Sequence, residues 1–190
     1  MNAGVGLWKW GSAALLAMAS VACTTNDTGY VEGEYLVVRE CQGDVDVEFA
    51  PYTLEANFFG VEKLGDGLFI RMQHAGKPLH RTDALVVNIV DTQWIASRVG
   101  RWVPLDNPNV QVTLHVLGQC PDTTQAMSAH GGEIFFDAFG TDAGDAVIGE
   151  FRFDLVDDRS GDLVGIHFTG TFKFVIRAGP PHQAFSGAFF

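Results

Sequence analysis

The side chains that could do chemistry in this chain are spread out rather than clustered. Its six histidines are His74, His80, His115, His130, His167 and His182, and no two stand in an HxH or HExxH arrangement. Such spacing offers a zinc ion no single face on which two imidazoles converge. His115 and His167 fall in strand-like segments that a fold can bring together. Carboxylates are more concentrated. The segment DAFGTDAGDAVIG places Asp137, Asp142 and Asp145 in a glycine-rich loop, and Asp157, Asp158 and Asp162 occupy another. Loop carboxylates suit calcium, a hard cation that takes about six to eight oxygens. Neither loop has EF-hand spacing, so Asp137, Asp142 and Asp145 stand as weak calcium candidates, and no other metal or cofactor is expected.

Nucleophilic catalysis finds no support. There is no GxSxG elbow, and GDGLFIRMQHAG lacks both the Lys-Ser/Thr and the following helix of a phosphate loop. The 23 acids supply no favoured pair for glycosidase-type chemistry. A binding surface is better represented. DTQWIASRVGRWVPLDNP concentrates Trp94, Arg98, Arg101 and Trp102 in an otherwise acidic chain. Trp and Arg anchor interfaces, and Trp also stacks on sugars. The competing reading puts both tryptophans in the core. The aromatic tail AFSGAFF is a second candidate surface.

The elements that must position these residues are strands. NVQVTLHVLGQC alternates cleanly, with Val110, Val112, Leu114 and Val116 on one face. ALVVNIVD is a β-branched run suited to a central strand, and Thr82 to Val99 fits a strand better than a helix. Near the end, GEFRFDLVDDRSGDLVGIHFTGTFKFVI reads as two strands joined by residues 157–161. Phe151, Phe153 and Leu155 share one face of the first; Phe172, Phe174 and Ile176 share one face of the second. Both open with the same Gly-x-Phe-x-Phe pattern, at Gly149 and at Gly170. Opposed phenylalanines there are read as cross-strand core pairs, and each glycine as a bulge or the start of a strand. Regular strands with Gly and Pro turns predict an all-β fold, an antiparallel β-sandwich or jelly-roll-like barrel.

The N-terminus is built differently. Residues 1–22 contain no acid, and GSAALLAMASVA is too short to span a bilayer, which takes about 17 to 25 apolar residues. It has the proportions of a signal peptide. Ser20-Val21-Ala22-Cys23 resembles the lipobox of bacterial lipoprotein precursors, which implies diacylation of Cys23 as the new N-terminus. Ser20 stands where Leu is usual, and Ser-Val-Ala also suits ordinary signal peptidase, so a secreted or periplasmic protein is the alternative. Three cysteines leave an odd thiol, and lipidation of Cys23 removes the oddness by leaving Cys41 and Cys120 to form a disulfide. With GQCP at residues 118–121 and the Gly-x-Phe-x-Phe strands, the chain resembles single-domain envelope lipoproteins of the myxobacterial type. The resemblance implies a cell-envelope location, with Thr24 after the cysteine favouring the outer membrane.

The expected layout is a signal peptide over 1–22, a flexible tether over 23–31 and one β-sandwich domain over 32–190. A formal net charge of −11 repels phosphate backbones, so nucleic acid is excluded as a partner. The 15 phenylalanines suffice for a sizeable core and argue against disorder. The function expected is a membrane-anchored, non-catalytic binding or scaffolding module with an envelope protein or a glycan as partner. The alternatives are an envelope hydrolase using carboxylates or calcium, and a small envelope enzyme inhibitor.

Overall fold

Period-two alternation carries most of the described residues into antiparallel strands. The computed structural model describes residues 27–39, 47–74, 82–116 and 125–178. The leader, the lipobox with Cys23, Cys41, Cys120 and the AFSGAFF tail lie outside the described residues.

The strands in chain order are β1 (Thr28–Arg39), β2 (Val47–Ala56), β3 (Phe58–Leu64), β4 (Gly67–Gln73) and β5 (Ala84–Ile89). A short helix α1 (Thr92–Ala96) follows, then β6 (Trp102–Pro104), β7 (Val110–Val116), β8 (Gln125–Ala138), β9 (Ala146–Asp157) and β10 (Leu163–Val175). They make one curled antiparallel sheet in the order β2-β1-β10-β9-β8-β7-β5-β4-β3, with β6 attached to β8. The all-β antiparallel expectation therefore holds, in the form of a single curled sheet with meander order. Apart from the attached β6 and the unpaired neighbours β2 and β3, strands pair in sequence order, and β1 pairs with β10. The two ends of the order, β2 and β3, are joined through Asn57 alone, whose N–H donates to the Gln73 carbonyl at 3.2 Å.

β1 begins at Thr28, so residues 28–31 of the expected tether are strand, registered against 170–173 of β10. The helix is a second departure. Thr82 to Val99 is not one strand: β5 ends at Ile89, and Asp91 then caps α1, its carboxylate accepting the Trp94 N–H at 2.9 Å. An N-cap oxygen that satisfies a free N–H is enough to start a turn of helix despite the β-branched neighbours.

The concave side of the sheet holds the core. Val110, Val112, Leu114 and Val116 are all buried on one face of β7, and β5 is buried along almost its whole length. The two Gly-x-Phe-x-Phe segments pair reciprocally: Gly149 faces Phe172, and Phe151 faces Gly170. Each ring lies over the opposing glycine. A Cβ on Gly149 would sit 2.5 Å from Phe172 Cζ, and one on Gly170 would collide with Phe151 Cζ and the Tyr30 carbonyl. The glycines are thus seats for phenyl rings. Phe151 stacks on Phe153 at 5.2 Å between centroids, and Phe153 on Phe168 at 6.0 Å, within the range of favourable aromatic pairs. Burying each such ring contributes about 1.5 to 3 kcal/mol.

Candidate binding surface

The outer side of the same strands carries the polar and exposed aromatic residues. Because directly opposed residues of an antiparallel pair share a face, the register turns single residues into rows that cross the sheet. One row reads Glu133, Arg152, Thr169, Glu32 and Thr53, running from β8 through β9, β10 and β1 to β2. The next reads Trp102, Phe135, Glu150, Thr171, Tyr30 and Glu55, from β6 to β2. Each row alternates along its strands with the buried phenylalanines, so the core and the outer face are two sides of one pattern.

Trp102 is 39% exposed at one end of the second row. Its ring lies 5.4 Å from Phe135, and the Arg152 guanidinium sits 5.0 Å from its centroid. Arg152 in turn pairs with Glu133. At the other end, Tyr30 is 38% exposed and donates to Glu32 at 3.1 Å; this bond raises the phenol pKa by stabilising the protonated form. Thr169 also donates to Glu32, at 3.4 Å.

Three strands depart from regular register in the same zone, at Gly33/Leu36 in β1, His130/Glu133 in β8 and Gly165/Phe168 in β10. A bulge bends its strand locally. Where they line up the outer face dips into an open trough of about 450 Å³ whose polar lining is Glu133, Arg152, Asp154, His167 and Thr169. His167 has φ 54°, a left-handed conformation that costs a residue with a Cβ about 1 to 3 kcal/mol. Two contacts hold it there: its N–H donates to Asp154 Oδ1 at 2.8 Å, and its Nδ1 lies 2.6 Å from Glu34 Oε2. The hydrogen bond and charge of Glu34 raise the His167 pKa. A second trough, of about 460 Å³, runs beside the first, with Phe135, Asp137, Ile148, Glu150, Thr171 and Lys173 in its wall.

The expected contact residues Trp94, Arg98, Arg101 and Trp102 are separated into two environments. Trp94 is partly buried against the core, with Arg98 folded over it at 3.6 Å and bonded to its carbonyl at 3.0 Å. That pair closes on itself. Arg101 and Trp102 are exposed. Phe135 and Arg152, which frame Trp102, carried no sequence signal, because they arrive from strands 33 and 50 residues away.

The acidic loops serve the backbone. Asp145 Oδ2 accepts the N–H groups of Thr141 and Asp142 at 3.0 Å each, and Asp142 lies 3.5 Å from Lys63. Asp157, buried, accepts the N–H groups of Arg159 and Ser160 and so builds the β9–β10 turn. Asp137, Asp142 and Asp145 do not converge, and no group of three His, Cys, Asp or Glu able to hold a metal occurs among the described residues. His115 and His167 do not meet either. His115 lies near Arg71 and is pushed down in pKa by burial first and by that guanidinium second. No helix among the described residues is long and apolar enough to cross a membrane.

No protein-family model, curated protein or solved structure matches this chain.

Proposed function

We propose that this chain is a non-catalytic binding module of the cell envelope, held at the membrane by a lipid on Cys23 and meeting its partner with the outer face of β6, β8, β9, β10 and β1. The observation that carries the reading is Trp102, exposed on an open sheet face and framed by Phe135 and Arg152. An aromatic ring left in water beside a guanidinium is the composition of an interface anchor. The carboxylates in and beside the trough also favour binding over hydrolysis: Asp154 and the neighbouring Glu34 are engaged by His167, and Glu133 by Arg152. A general acid or base needs a group poised toward a substrate.

The lipid supports the location. Acyl chains contribute roughly 0.8 kcal/mol per buried methylene, so a multiply acylated cysteine anchors a domain without a spanning helix. Outer-membrane attachment follows from the same reading, with Cys41 and Cys120 paired in the oxidising envelope.

The test uses the full mature chain carrying Cys23→Ser, so that retention cannot come from acyl groups. Cosedimentation with isolated envelope fragments is compared for this protein and for its Trp102→Ala form. The expected result is retention that falls about tenfold without the indole. Retention indifferent to Trp102, or none at all, overturns the reading.

A further inference from the structure

Trp102 and Tyr30 lie in one cross-strand row of the outer face, both exposed, on β6 and β1 with polar residues between them. Four strand spacings separate them, roughly 19 Å at about 4.8 Å each. Between and beside them stand Glu150, Thr171, Arg152, Thr169 and Glu32, all exposed, so the stretch offers hydroxyl, carboxylate and guanidinium groups in two parallel rows. Both troughs lie along these rows.

We propose that this outer face receives an uncharged linear oligosaccharide laid across the strands, with Trp102 and Tyr30 as the two stacking platforms. The proposal rests on the binding-module reading above and names its ligand class. The chemistry of a pyranose chain fits three features of the face. Each ring presents a C–H face that packs on an aromatic side chain, and Trp and Tyr each supply a rigid apolar body with a polar tip. The rim of each sugar presents hydroxyls that both donate and accept. Carboxylates accept from them, Arg donates to them, and Thr does either. Glu32, already taking bonds from Tyr30 and Thr169, and Glu133, paired with Arg152, are planar groups oriented by these partners beside the aromatic platforms. Preorganisation of this kind lowers the entropy lost on binding.

Charge selects the ligand class. Glu32, Glu55, Glu133 and Glu150 in the two rows outnumber Arg152, and the whole chain carries a net −11. A polyanionic glycan or a phosphate-rich surface would meet repulsion. A basic protein would be attracted, but its binding would weaken steeply with salt, whereas that of a neutral sugar would not.

Affinity electrophoresis of the full mature chain, carrying Cys23→Ser, through gels containing laminarin, galactomannan, hydroxyethyl cellulose or polygalacturonate tests the proposal. Retardation is expected in at least one of the three neutral gels and not in polygalacturonate. Trp102→Ala should weaken it at least about tenfold, Tyr30→Ala severalfold, and Trp102→Phe should retain part of it. Titration of the retarding polymer at about 0.05 M and about 0.5 M salt should give the same affinity. No retardation in any neutral gel overturns the glycan assignment. So does retardation unaffected by both aromatic substitutions when urea melts show the variants folded. If envelope retention still depends on Trp102 but collapses in high salt and no neutral gel retards the protein, the binding module stands and its partner is a basic protein.

Discussion

Glu34 and His167 face each other across the β1–β10 pair, Oε2 to Nδ1 at 2.6 Å, in the zone where the sheet leaves regular register. The pair ties the first strand to the last at the rim of the trough, and it holds a histidine at φ 54°. The His167 pKa is raised, first by the hydrogen bond its ring donates to Glu34 and then by the charge of the same carboxylate. The folded protein therefore binds a proton more tightly here than the unfolded chain, whose histidine titrates near 6.5. The stabilisation is full below that value and is lost as pH rises through the higher folded value. Glu34→Gln should return the His167 pKa toward about 6.5 and flatten the alkaline side of the stability profile. Histidine ring resonances followed by NMR against pH read the first effect. A His167 pKa unmoved by that substitution would sink the pairing.

His115 titrates with the opposite sign. Burial and the neighbouring Arg71 depress its pKa, while Asp158 partly opposes them. Its contribution is full above about 6.5 and is lost as pH falls from there through the lower folded value. His115→Gln should therefore remove part of the acid-side loss and leave the alkaline side unchanged. Urea midpoints at a series of pH values would check this, and Glu34→Gln and His115→Gln should deform opposite flanks of one profile.

The reciprocal Gly/Phe pairing predicts intolerance to a single methyl group. Gly149→Ala forces a Cβ against the Phe135 carbonyl and the Phe172 ring, and Gly170→Ala against the Phe151 ring and the Tyr30 carbonyl, overpacking that costs about 1 to 3 kcal/mol or more. Phe151→Ala should cost about 3 to 5 kcal/mol through the cavity it leaves. Combining Gly170→Ala with Phe151→Ala should cost less than the sum, because removing the ring relieves its clash with the added methyl and leaves only the clash with the Tyr30 carbonyl. Strict additivity in urea unfolding would show that the ring does not sit on the glycine.

What the sequence made legible follows from how local each signal is. Val110 to Val116 reads as a strand because its period is contained in seven residues, and the two Gly-x-Phe-x-Phe segments read as core strands for the same reason. The role of their glycines was hidden, since it depends on the register that sets Gly149 against Phe172. Helix α1 was masked by flanking Val and Ile, and only Asp91 at its cap betrayed it. The Glu34–His167 contact spans 133 residues and has no local trace at all. Trp102 could be singled out by type, but nothing near it in sequence distinguished it from Trp94. What separates them is alternation along β6 and the arrival of Phe135 and Arg152 from other strands.

The two tryptophans should accordingly respond differently to truncation. Trp94 packs against the core at the start of α1, where its N–H also takes the Asp91 cap and Arg98 lies across its ring. Trp94→Ala removes a large, partly buried aromatic and should cost about 3 kcal/mol, toward the low end for aromatic truncations because the site is not fully enclosed. Trp102 lies outside the core, against Phe135 and Arg152, so Trp102→Ala should cost less than Trp94→Ala, about 1 to 2 kcal/mol. Emission of residues 23–190, which leave out Trp8 and Trp10, should separate them as well: the spectrum of the Trp94→Ala protein keeps the more exposed indole and shifts to the red, and that of Trp102→Ala shifts to the blue. Urea unfolding together with fluorescence of the two variants would check both statements. A Trp102→Ala protein destabilised as strongly as Trp94→Ala would mean that the indole is a structural support, and the outer face would then lose the anchor on which its binding role depends.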